Sequence, residues 1–290
     1  MLGILLALKP KGISSHDAVN EVRRRFGTRR VGHAGTLDPL ATGLLVMAVG
    51  PATRFLQYLP LEPKEYVGEF VFGSATDTYD AEGEVVERRE VPADLREAIE
   101  GAKPGFMGLQ SQLPPMHSAV KVKGKPLYAY ARKGQELERE PRTVHIDAFD
   151  LESVEENCAR IRIVCSGGTY IRSLAHDLGQ AIGCGAHLGG LQRTRVGRFG
   201  VEEATALESV QPSDLVPLAE ALPPMSLVRV TDIQVRHIQE GRHIIVEDEP
   251  CGTLCALVSP NGNVFSVARV NGNVLQPECV IPAEAFDEAL

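Results

Sequence analysis

The stretch Gly32-His33-Ala34-Gly35-Thr36-Leu37-Asp38-Pro39-Leu40-Ala41-Thr42-Gly43-Leu44-Leu45 constrains this chain more than any other. It is a polar, glycine-rich loop that runs into an apolar strand reaching Val49. A dinucleotide-binding fingerprint has the opposite order, its glycines leaving a strand to open a helix. A P-loop needs Gly-Lys-Ser/Thr after its glycines, and none follows here. The three glycines permit tight folding and close backbone approach. Pro39 biases Asp38 toward an extended backbone, so the carboxylate sits on a stiff support rather than a mobile tip. An Asp-Pro pair by itself marks only a turn, so the meaning of Asp38 depends on the rest of the chain.

The 290 residues, 43% hydrophobic and 23% charged, supply a core for one large domain or a large one with a small companion. The apolar start, Met1-Leu2-Gly3-Ile4-Leu5-Leu6-Ala7-Leu8, stops at Lys9-Pro10 and has no basic lead, so it reads as a buried strand rather than a signal peptide. No run approaches the roughly 18 apolar residues of a membrane span, and a cytoplasmic location is expected. The six cysteines show no C-x-x-C pair, which favours buried free thiols in a reducing compartment over a metal centre. The net charge of −8 weighs against a nucleic-acid partner. The charge is uneven, however. Residues 229–290 hold four Arg against nine Asp and Glu, whereas residues 9–30 hold seven basic and two acidic groups. A basic face on a near-neutral body can bind phosphates.

Along the chain, residues 2–8 read as a strand ended by the Lys9-Pro10-Lys11-Gly12 turn. Ser14 or Ser15 can cap a helix reaching Phe26, with Val19, Val22 and Phe26 on one face. Residues 27–39 read as loop, 44–49 and 66–72 as strands, 77–83 as a turn, 84–88 as its partner strand, and 94–100 as a short helix. Residues 104–126, rich in Pro and Gly, are too long for a simple connector. Residues 161–165 form a strand, and 170–182 a helix with Ile171, Leu174, Ala175, Leu178 and Ile182 on one stripe. Leu222-Pro223-Pro224-Met225 marks a linker, giving domains 1–223 and 227–290. In the second, short Val/Ile/Leu runs punctuated by Glu240-Gly241, Asn261-Gly262 and Asn271-Gly272 indicate a small antiparallel β-barrel.

Three further segments carry polar chemistry. Lys64-Glu65-Tyr66 precedes the Thr/Asp cluster of residues 73–83, which alone would be a hairpin turn. Residues 106–132 interleave His117, Lys121 and Arg132 with Tyr128 and Tyr130, a pattern shared by an RNA-facing surface and by a solvated loop over a strand. Gly167-Gly168-Thr169-Tyr170-Ile171-Arg172-Ser173-Leu174 is a glycine turn launching a helix with Arg172 in its first turn, followed by Leu191-Gln192-Arg193-Thr194-Arg195. In this order and spacing, from Lys9 to about Gly197, the segments resemble the bacterial T-loop pseudouridine synthases of TruB type. The G-H-x-G-x-L-D-P-x-A-T-G-x-L segment is the most specific, and G-T-Y-I-R-S-L supports it independently. The tail from about Leu227 resembles the small RNA-binding barrel called PUA.

The resemblance implies an α+β fold, a mixed and mainly antiparallel sheet flanked by helices, with a small C-terminal PUA-like β-barrel. It implies isomerisation of uridine 55 in the tRNA T-loop to pseudouridine, with base flipping. Asp38 matches the nucleophile, and Arg172 the arginine that pairs with it. Tyr66 matches the tyrosine that stacks on the target base and is a candidate acceptor of the C5 proton. His33 matches the residue that enters the loop in place of flipped nucleotides, and Tyr170 and Leu191 match residues lining the uracil pocket. Asp38 either attacks C1′ or removes the 2′ proton; both routes stay open. No redox change or energy input is involved, so no cofactor or metal is expected. The partner is the tRNA T-arm, with no membrane, obligatory protein partner or guide RNA. A tRNA-folding factor is the main competing reading; because Asp38 and Arg172 are both present, folding would accompany catalysis rather than replace it.

Overall fold

The structure is a computed structural model. It describes all residues except Ala119, Lys123, Arg132, Glu136 and residues 284–290, and the side chains of Lys121 and Tyr128 also fall outside the description. Part of the basic and aromatic segment named above therefore lies outside the described residues. The chain divides into two compact units. One comprises Met1–Leu37, Leu44–Pro60 and Glu202–Leu290, the other Asp38–Gly43 and Leu61–Val201.

In the first unit, the strand Gly3–Lys9 pairs with Thr205–Ala206 in parallel and with Leu215–Val216 antiparallel. The helix Ser15–Phe26 packs Ala18, Val19, Val22 and Phe26 on Leu5, Ala7, Leu45 and Met47. Ser14 and Asp17 form a capping box at its start, and Gly27 in the left-handed region ends it. Lys9 is fully buried, its Nζ donating to the carbonyls of Pro10 at 2.9 Å and Ile13 at 2.7 Å, so it braces the turn that follows the strand. The expected loop of residues 27–39 contains a strand, Val31–Ala34, paired antiparallel with residues 46–49. It is half apolar and only four residues long, too short to show alternation. The C-terminal part forms a separate five-stranded sheet in the order Ser226–Arg229, Leu254–Val258, Val264–Asn271, Val274–Val280, Ile244–Ile245. Its first pair is parallel rather than antiparallel, because the helix Asp232–Gln239, absent from the sequence reading, lies in the connection.

In the second unit, Ala186–Val196, Lys64–Phe72, Cys158–Cys165, Arg142–Glu155 and Gly108–Gln112 are successive antiparallel neighbours. Residues 41–43 add a parallel contact to Leu191, Gln192 and Arg193. Gly43 has φ +105, and a Cβ there would lie 2.3 Å from the Arg193 carbonyl oxygen, so only glycine allows this approach. The helix Ile171–Ile182 packs Ile171, Leu174, Ala175 and Leu178 inward. Its Gly179 touches the start of Ala186–Val196, where a Cβ would meet the Ala186 nitrogen at 2.1 Å. The mixed, mainly antiparallel α+β architecture is as expected. The strand Val85–Arg88 differs: it pairs with Ser74–Thr76 in a separate ribbon, because both edges of Lys64–Phe72 are already occupied. All six cysteines are free, but Cys251 is exposed and Cys158 only partly covered, so the expectation of buried thiols holds for the other four.

Candidate active site

In the first unit, Leu37 is clamped to the first helix. The Ser15 hydroxyl, at the start of the first helix, donates to the Leu37 carbonyl at 2.9 Å and accepts from the Leu37 N–H at 2.8 Å, both bonds buried. Leu37 and Leu40 are buried on either side of the Asp38-Pro39 pair, and the Ala41 N–H closes a turn onto the Asp38 carbonyl at 3.1 Å. In the second unit that turn holds the backbone at Asp38. Its side chain is 41% exposed, while that of Arg172 behind it is 5% exposed.

Arg172 lies in the first turn of Ile171–Ile182. Gln112, itself 6% exposed, holds that helix start: it accepts from the Tyr170 N–H at 2.7 Å and donates to the Tyr170 carbonyl at 3.0 Å. The Ser173 hydroxyl adds a bond to the Leu113 carbonyl at 2.9 Å. So fixed, the guanidinium meets Asp38 Oδ2 through Nε at 3.0 Å, an ion pair whose N–H is not aligned along the contact. Nη1 lies 3.2 Å from both Asp80 Oδ2 and the Thr78 carbonyl, and Nη2 donates to the His117 carbonyl at 2.8 Å. One buried cation therefore joins two carboxylates of different exposure. Asp80 is 4% exposed and is held by the Thr78 hydroxyl at 2.6 Å and the Glu82 N–H at 3.1 Å.

Tyr66 is buried on Lys64–Phe72, opposite Ile163 and Arg193. Burial raises its phenol above the ordinary range, the Arg193 guanidinium hydrogen-bonded to it pulls the other way, and Asp38 adds to the rise. Burial likewise depresses Lys64, which also faces Arg193. Leu191 is half-buried opposite Ala41 and Gly68, and Tyr170 is half-buried at the helix cap. His33 belongs to the other unit, half-buried on Val31–Ala34 opposite Met47. The structure thus brings Asp38, Tyr66 and Arg172 into one electrostatic cluster. Asp80, Gln112 and Arg193 join the site through the fold alone. By sequence Asp80 is one acid in a Thr/Asp turn, and a buried Gln112 leaves no trace in a Pro- and Gly-rich segment.

A clamped, half-exposed carboxylate backed by a buried guanidinium in a mixed sheet defines an enzyme-like site, and the fold has solved counterparts. The chain of a Cbf5–Nop10–Gar1 complex matches with a TM-score of 0.68 at 23% identity, over 98% of this chain and 86% of that one. An H/ACA RNP bound to a substrate RNA containing 2′-deoxyuridine matches with a TM-score of 0.63 at 21% identity, over the same shares. At that identity the likeness shows the fold alone. Sequence relatives go further. Residues 23–171 match the N-terminal domain of TruB family pseudouridylate synthases, and residues 172–226 the C-terminal domain of tRNA pseudouridylate synthase B. The proteins called tRNA pseudouridine synthase B in Opitutus terrae and Leifsonia xyli are 46% and 42% identical, over 77% and 97% of this chain and 92% and 97% of their own. This chain belongs to the TruB family of pseudouridylate synthases.

Proposed function

We propose that this chain isomerises uridine 55 in the T-loop of tRNA to pseudouridine, with Asp38 as nucleophile. The observation that carries the reading is the pairing of a 41%-exposed Asp38 carboxylate with an Arg172 guanidinium 5% exposed. The carboxylate is open to a substrate, and its counter-charge is sealed behind it. The target base leaves the loop stack at a cost of a few kcal/mol, and stacking on Tyr66 returns about 1–3 kcal/mol. Tyr170 and Leu191 line the uracil pocket, and His33 takes the place the flipped nucleotides vacate.

In the reaction the C1′–N1 bond breaks, uracil rotates, and C5 bonds to C1′; the C5 proton leaves and N1 gains one, so the product is an isomer of the substrate. The raised Tyr66 phenol is protonated at neutral pH, so it serves as a relay: its oxygen accepts the C5 proton as its own proton passes to solvent, and N1 takes up a proton from solvent in turn. Direct attack by Asp38 on C1′ leaves the 2′ C–H bond intact, whereas the glycal route breaks it. A 2′-deuterated substrate distinguishes the two by the absence or presence of a primary isotope effect.

The enzyme acts alone in the cytoplasm, on the T-arm, without guide RNA, and chaperones tRNA folding as it does so. Residues 1–223 form the catalytic domain and 227–290 a PUA-like RNA-binding domain. Supporting that division, the family matches end at residue 226, and the separate five-stranded sheet starts at Ser226. Among the described residues no helix is long and apolar enough to cross a membrane. The test is Asp38→Asn, close in shape but without the charge. Pseudouridine mapping on an unmodified transcript is expected to show no product while the RNA still binds; turnover by the purified variant overturns the assignment.

A further inference from the structure

Tyr79 stands between two groups that converge on Arg172. The Thr78 carbonyl and the Asp80 carboxylate both lie 3.2 Å from the same Nη1 nitrogen. Between them, Tyr79 has φ +65, in the left-handed region. A bulky side chain rarely adopts that conformation, and such outliers persist only where surrounding structure holds them. Here Leu188 brackets the turn, its N–H donating to the Tyr79 carbonyl at 3.0 Å and its carbonyl accepting from the Ala81 N–H at 2.9 Å. Within the turn, the Tyr79 N–H also donates to the Thr76 carbonyl at 3.3 Å and the Thr76 hydroxyl to the Asp80 carbonyl at 2.7 Å, so its backbone is held on both sides.

The second hold is a ring stack. The Tyr79 ring lies on the His176 imidazole with centroids 3.9 Å apart and planes 16° from parallel. His176 is four residues after Arg172, on the same helix face. Its buried Nδ1 has no hydrogen-bond partner among the described residues, so the Nδ1 side of the ring is oriented by packing rather than by a bond. Burial also lowers the imidazole pKa, which favours the uncharged ring. The helix that carries Arg172 and the turn that carries Asp80 are thus tied twice, once by charge and once by the stack.

We infer that Tyr79 and His176 are positioning residues: their stack holds the Asp80 turn against the Arg172 helix and so keeps the Asp38 carboxylate in its working orientation. The inference rests on the reading of Asp38 and Arg172 as catalytic groups. It also separates two uses of Tyr79, which lines an open pocket of about 210 Å³ with Asp77, His117 and Arg139 and could instead meet an RNA base there.

Single-turnover rate and Kd are measured on one T-arm RNA for Tyr79→Phe, Tyr79→Leu, His176→Phe and His176→Ala. Both Phe variants keep a stack and are expected to stay within about threefold of wild type. Tyr79→Leu and His176→Ala are each expected to slow the chemical step about tenfold, the most such an aromatic pair supplies, with Kd unchanged. The Tyr79→Leu/His176→Ala double variant is expected to be no slower than either alone, since one interaction is lost once. Should Tyr79→Leu fail to fold, His176→Ala against His176→Phe makes the same comparison from the half-exposed partner. Multiplying defects, an unchanged rate, or a weaker Kd at an unchanged rate overturns the clamp; the last identifies Tyr79 as an RNA-contact residue. Asp38→Asn in the same assay tests the underlying reading separately: turnover there removes the nucleophile, whatever the Tyr79 variants do.

Discussion

Replacing Arg172 by lysine isolates geometry from charge. The guanidinium spreads its nitrogens over Asp38, Asp80, the Thr78 carbonyl and the His117 carbonyl, at 2.8–3.2 Å. A lysine ammonium is a single point and cannot span the two carboxylates in the same orientation. At least two of the contacts go, each a charge-assisted bond worth about 1.5–3 kcal/mol. Asp80 keeps its bonds from Thr78 and Glu82, which limits the loss of stability. The effect on rate is separate: a displacement of about 1 Å at a reacting group costs about 100-fold. Arg172→Lys is therefore expected to lower the single-turnover rate about 100-fold, measured as tritium release from a 5-tritiated uridine T-arm, with filter-binding Kd within about threefold. Arg172→Ala is expected to be worse in both rate and stability, because it leaves Asp80 buried without its counter-charge. The reasoning fails if Arg172→Lys binds RNA more weakly, with a shallower salt dependence, while its rate at saturation stays at the wild-type value; that pattern belongs to a phosphate contact.

Asp80→Asn is expected to lower the single-turnover rate at least tenfold without weakening RNA binding, since it removes one of the two carboxylates that fix the guanidinium; an unchanged rate limits Asp80 to stability. Tyr66→Phe keeps the ring and removes the hydroxyl, so a proton relay predicts a loss of about 100-fold or more in rate with Kd preserved, and wild-type turnover removes Tyr66 from the proton path. Burial raises the thiols of Cys165, Cys255 and Cys279 to about 11. Deprotonation is thus deferred to high pH, and at pH 8 only about one in a thousand of each is thiolate. Mass spectrometry after thiol alkylation at pH 8 is expected to find exposed Cys251 modified first and those three only after unfolding; their early modification contradicts the packing.

Local chemistry in the sequence was enough for the elements and residues whose cause is local. The first helix is announced by Ser14 and its apolar stripe, and the Asp38 loop by glycines and Pro39 that act within a few residues. The Ile171–Ile182 helix shows its stripe in the same way. The strands Arg142–Glu155 and Ala186–Val196 were illegible because their alternation breaks. Register shifts fall between Ile146 and Ala148 and between Leu151 and Ser153 in the first, and between Leu188 and Gly190 and between Arg193 and Arg195 in the second. A bulge moves later side chains to the other face, so a period-two pattern is lost. Ala186–Val196 also buries His187 and Arg193, which no hydropathy pattern marks as interior. Asp80 belongs with these. From sequence it is one acid in a turn of polar residues. It becomes part of the site only because Arg172, 92 positions later, is carried to it by a helix that Gln112 pins from a third segment. What a carboxylate faces is set by long-range packing, and a linear pattern records only what its neighbours in the chain impose.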